Sequence, residues 1–74
     1  MKWIPVSRPP FPASKYVTYE VFEYLVTDGL NVGISAFERG GGHVNKPWAA
    51  WNEFGAIKPE SITHWMQIPK PPKE

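Results

Sequence analysis

Residues 19–37 read YEVFEYLVTDGLNVGISAF, and the reading of this stretch decides the fold. β-Branched and aromatic residues alternate with polar ones on both sides of Asp28-Gly29. An Asp-Gly pair between two such runs is the strongest short-range signal for a β-hairpin. Two registers compete, because a slip of one residue sends every side chain to the opposite face. If Asp28-Gly29 alone forms a two-residue turn, Thr27 pairs with Leu30. Phe22, Tyr24 and Val26 then share a face with Asn31, Gly33 and Ser35. If the loop is Thr27-Asp28-Gly29, with Gly29 at the positive-φ position of a bulge, the same three residues line up with Leu30, Val32, Ile34 and Ala36. The second arrangement sorts apolar from polar and the first does not. The sequence therefore predicts the three-residue loop.

Working outward, 74 residues make one small domain, a size at which a single core barely outweighs chain entropy. With no cysteine, neither a disulfide framework nor a thiolate zinc site can staple it. Four Trp, three Tyr and four Phe supply the alternative, since each can bury roughly 150–250 Å². A net charge of +1 and scattered cations argue against phosphate tracking, hence against nucleic-acid binding. No run approaches the roughly 20 apolar residues of a membrane span. Met1–Pro5 lacks an apolar core for a secretory signal, so the cytoplasm is the expected compartment.

Residues 1–14 carry Pro5, Pro9, Pro10 and Pro12, which suits an extended arm with Trp3 as its anchor. Residues 39–56 form the next unit. Arg39-Gly40-Gly41-Gly42-His43 reads as a mobile loop tip, without the spacing of a phosphate loop. Asn45 as cap, Pro47 in the first turn and Gly55 as stop then predict a short helix over Pro47–Phe54, with Trp48, Trp51 and Phe54 along one side. Residues 62–68 alternate as a third strand, and residues 69–74 form a proline-rich tail in which Pro69 and Pro72 satisfy P-x-x-P. The expected fold is thus α+β, mainly β. A small antiparallel sheet of three or more strands is built on a hairpin, with one short helix and proline-rich extended termini.

Trp3-Ile4-Pro5-Val6-Ser7, Leu25-Val26-Thr27-Asp28-Gly29 and Thr63-His64-Trp65-Met66 followed by Pro69, Pro71 and Pro72 together resemble one family. It comprises small bacteriophage and prophage proteins known as domain of unknown function five-five-one. Gln67-Ile68-Pro69 stands where that family has Pro-Leu-Pro, and residues 39–61 lie outside the resemblance. The resemblance implies a phage or prophage origin and an accessory role in a bacterial host cell. It implies no reaction.

The side chains offer little chemistry. His43 and His64 have no set of companions at metal-ligand spacing. No serine sits in a nucleophile elbow, and Ser61 and His64, three apart on a strand, point to opposite faces. Trp65, in an apolar strand, is expected to anchor the core. These features point to a non-enzyme without a cofactor. It would be a protein-interaction module that binds or inhibits a host or phage protein, with Arg39, His43, Trp48 and Trp51 as candidate partner-binding residues. The alternative is a structural, homo-oligomeric subunit that pairs through an exposed sheet edge.

Overall fold

A computed structural model describes residues 2–43 and 46–71. Five strands, β1 (Ile4–Pro5), β2 (Tyr19–Thr27), β3 (Val32–Gly40), β4 (Trp48–Trp51) and β5 (His64–Met66), form one antiparallel sheet in the order β1-β5-β2-β3-β4. The mainly-β architecture expected from the sequence is present. The only helical turn among the described residues is a 3-10 turn at Pro59–Ser61.

β2 and β3 form the predicted hairpin in a different register. Thr27 pairs with Val32, Leu25 with Ile34 and Phe22 with Phe37, leaving a four-residue loop, Asp28–Asn31. The Asp28 carboxylate accepts from the Leu30 and Asn31 N–H groups at 2.8 and 2.7 Å, and Gly29 takes φ +99°. This corrects the three-residue loop. Phe22, Tyr24 and Val26 share a face with Gly33, Ser35 and Phe37, the combination that apolar sorting rejects.

The reason is room. The segment after β4 crosses over Gly33 and Ser35: a Cβ on Gly33 would lie 2.5 Å from that of Ala56, and one on Gly55 would lie 2.6 Å from the Ser35 Cβ. Ala56 N–H donates to the Ile34 carbonyl at 3.1 Å, holding the crossing segment against β3. Gly33 and Ser35 sit on the covered face because they are small, and their polarity is incidental.

Trp48–Trp51 is a strand, which corrects the expected helix over Pro47–Phe54. Eight residues are too few to hold a helix without packing, whereas β3 offers a ladder of backbone partners. Asn45, the proposed cap, lies outside the described residues. The glycine run corrects too. Gly40 and Gly42 are buried, and the N–H groups of Gly41, Gly42 and His43 donate to the carbonyls of Thr18, Val17 and Lys15. It continues the open end of the hairpin and is no free loop tip.

The core lies on the covered face. Tyr24, Val26, Phe37, Trp51, Ile57, Ile62 and Trp65 are buried together, with Ile4, Val6 and Phe11 packed against them. The Trp65 ring meets Tyr24 edge-on at 5.0 Å, and its Nε1 donates to the Arg8 carbonyl at 2.8 Å. Trp65 is the core anchor the sequence predicts. The proline arm is not simply extended: after β1 it turns, with Arg8 N–H bonded to the Pro5 carbonyl, and lays Phe11 edge-on to Phe22 and Phe37. At the other end, Gln67–Pro71 is exposed and belongs to no element.

Candidate functional site

The sheet has two outer strands, and β1 is the more fully blunted. β1 is two residues long and ends in Pro5, which has no N–H to offer. β4, four residues long and preceded by Pro47, carries no proline within the strand. Its pairing is fixed by Asn52 N–H, which donates to the Ala36 carbonyl at 2.8 Å in register with Phe37↔Trp51 and Glu38↔Ala50. Because hydrogen-bonded and non-bonded pairs alternate along an antiparallel ladder, Ala50 and Trp48 face β3. Ala49 and Trp51 therefore turn their N–H and C=O groups outward. An unpaired row of this kind is a template for another strand.

Two hollows adjoin that edge, one apolar and one of mixed lining. One, of about 660 Å³, runs between β4 and the proline arm and is lined by Pro9, Phe11, Pro12, Pro47, Trp48 and Trp51 among others. The second, of about 490 Å³, lies between β4 and the 3-10 turn and mixes the apolar Trp51, Phe54 and Pro59 with the charged Glu53, Lys58 and Glu60. Phe54 is 92 % exposed at its margin, on a turn held by Phe54 N–H donating to Asn52 Oδ1 at 2.7 Å. An extended chain lying along β4 would place alternate side chains towards these hollows.

The four candidate residues occupy different places. Arg39, on the covered face, donates from Nε to Glu20 at 2.7 Å and from Nη1 to the Pro12 carbonyl at 2.9 Å, with its guanidinium 4.7 Å from the Phe11 ring centroid. It ties the arm to the sheet and thereby builds one wall of the first hollow. Trp51 is buried between Tyr24 and Phe37. Trp48 pairs with Gly40 on the opposite face, where its indole covers Gly40 and Gly41 and stays 42 % exposed. His43, at φ +70°, places Nε2 2.9 Å from the Tyr16 carbonyl. Trp48 and Trp51 border the β4 edge, while His43 stands apart in the turn.

Phe11, Ala49 and Phe54 belong to this site and are not among the candidate partner-binding residues; the sequence marks Phe54 only as part of a helix face. Four residues, Trp48-Ala49-Ala50-Trp51, are too short to show either a helical or a strand period, so the edge left no pattern to read.

The ionisable groups are structural. Three hydrogen bonds, led by the Asn31 N–H, hold the Asp28 carboxyl below the usual carboxylate range. The Tyr19 hydroxyl, which donates to Glu38, is held above the ordinary tyrosine value chiefly by that bond. No group of three or more potential metal ligands occurs among the described residues, and none of their helices is long and apolar enough to cross a membrane. Searches of protein-family models, curated proteins and solved structures find no match to this chain.

Proposed function

We propose that the protein is a non-catalytic interaction module that accepts an extended segment of another protein as a sixth strand on β4. The observation that carries this reading is the outer edge of β4: two outward N–H and C=O pairs, at Ala49 and Trp51, beside one apolar hollow and one of mixed lining. Backbone bonds would supply affinity and the hollows specificity, the division of labour of strand addition. Taken with the resemblance of both termini and the hairpin to phage and prophage proteins, the partner is a host or phage protein met in the bacterial cytoplasm. Pairing of the β4 edges of two chains is the second reading, and it draws on the same open edge.

The test begins with peptides selected on the pure protein from a random library. Bound ligands should slow amide exchange at Ala49 and Trp51. Ala49→Pro should abolish binding yet keep the fold, because proline is tolerated where the N–H faces outward. Ala50→Pro, which removes a bond to β3, should instead destabilise the sheet by about 1–3 kcal/mol. Ligands that bind Ala49→Pro as well as the parent would place the site elsewhere.

A further inference from the structure

The sheet has a second apolar surface that the edge site does not use. The covered face takes the even-numbered residues of β2 and the odd-numbered ones of β3, so the opposite face carries Val21, Leu25, Val32, Ile34, Met66 and Trp48. On its β5 side Met66 is buried, but on β3 the face is open, with Ile34 47 % and Val32 62 % exposed. The molecule is correspondingly a slab, 40 × 34 × 20 Å, built from one sheet with a layer on one side only. Domains ordinarily bury both apolar faces between packed layers.

We propose that this open face is an interface with a second copy of the same chain, centred on Val32 and Ile34 with Val21 and Leu25 beside them. The exposed area fits such a partner. The chain exposes 5585 Å², against about 4,600 Å² for a compact monomer of its mass. The exposed tail accounts for part of the excess of about 1,000 Å², and each partner in a standard interface contributes about 800 Å². Charge also permits self-pairing. No Lys or Arg occupies an outward strand position, and the centre carries no charge that would meet its own copy. Of the two carboxylates on this face, Glu38 is engaged by the Tyr19 hydroxyl. Glu23 lies beyond the reach of β5, which pairs with Leu25–Thr27 alone, so it stands at the sheet margin and can remain in water. Two sheets related by a twofold axis would pack about 10 Å apart, each supplying the layer the other lacks.

Sedimentation velocity of the pure chain over a range of concentrations tests this directly. The expected result is a reversible monomer–dimer equilibrium. Ile34→Glu and Val32→Lys, both at exposed positions, should each weaken the dimer at least about tenfold, a change of about 1.4 kcal/mol, with unchanged circular dichroism. Ala49→Pro, on the β4 edge, should leave it intact. A measurement free of substitutions guards against misfolded variants: the methyl signals of Val21, Leu25, Val32 and Ile34 should become shielded from a soluble paramagnetic agent as concentration rises. A chain that stays monomeric throughout would overturn the proposal, the face then being open to a different occupant. A dimer indifferent to both face variants would overturn it, as would one dissolved by Ala49→Pro, which would assign self-pairing to the edge.

Discussion

Both faces of the sheet are apolar, yet only one is covered by the chain itself. The covered face carries Phe22, Tyr24, Val26, Phe37 and Trp65 around two small residues next to each other along β3, Gly33 and Ser35; at the neighbouring positions of β3 the open face presents the branched Val32 and Ile34. The comparison shows what a covering segment needs. Over Val32 and Ile34 a backbone cannot come as close to β3. Two small residues in line make a channel, and the chain around Gly55 and Ala56 occupies it. Burial here follows shape as much as hydrophobicity, since interiors tolerate neither voids nor overlap.

The largest expected effect comes from tryptophans on opposite faces. Trp65→Ala should cost about 3–5 kcal/mol in chemical denaturation, enough to unfold a domain this small. Trp48→Ala, at a half-exposed position, should cost clearly less. Equal losses would erase the distinction between the faces.

Next in size is the channel. Gly33→Ala sets a methyl 2.5 Å from the Ala56 Cβ, and such overpacking should cost about 1–3 kcal/mol. Its neighbour Val32, cut to Ala, should change stability by no more than about 0.5 kcal/mol when the chain is kept dilute. Thermal melts of both variants check the contrast. A harmless Gly33→Ala would mean the crossing segment runs elsewhere.

The hairpin loop gives a smaller, pH-dependent effect. Hydrogen bonds lower the Asp28 carboxyl below its ordinary value of 3.8, so the folded state binds that proton less readily than the unfolded one. The stabilisation is therefore present above about pH 4 and is lost as pH falls through the lowered value. Asp28→Ala should reduce the melting temperature at neutral pH, and the gap to the parent should close on acidification. A gap that persists unchanged in acid would show that the carboxylate is not what holds the loop.

The smallest effect has an unusual sign. Ser35 Oγ is buried without a hydrogen-bond partner among the described residues. Ser35→Ala keeps the residue small and removes an unsatisfied hydroxyl, so stability should stay level or rise by up to about 1 kcal/mol. A substantial loss would show that the hydroxyl has a partner, and that polarity matters at this position after all.

What could be read from the sequence follows from which signals are local. Asp28-Gly29 and the alternation around it marked the hairpin, because turn chemistry and strand period lie within a few residues. Trp65 was legible for a similar reason, lying in an apolar strand followed by proline. The register was not, because it depends on Ala56 crossing Gly33, a contact made 23 residues away. β4 was hidden for want of length, and the punctuation at Pro47 and Gly55 fits a strand between two turns as well as it fits a helix. Of the candidate site, Trp48 and Trp51 were found by composition. Their opposite orientations, and the role of Arg39 in fastening the arm, depend on pairing with β3 and on the Pro12 carbonyl.

The channel, the covered core and the open face all depend on the register of β2 against β3, and proton NMR measures it most directly. The account predicts strong Hα–Hα cross-peaks between Leu25 and Ile34 and between Glu23 and Ala36, the non-hydrogen-bonded pairs whose Cα atoms lie about 4.5 Å apart. Contacts pairing Val26 with Leu30 and Tyr24 with Val32 would contradict it: Gly33 and Ser35 would then turn to the open face, and the channel, the covered core and the proposed dimer face would all fall with that register.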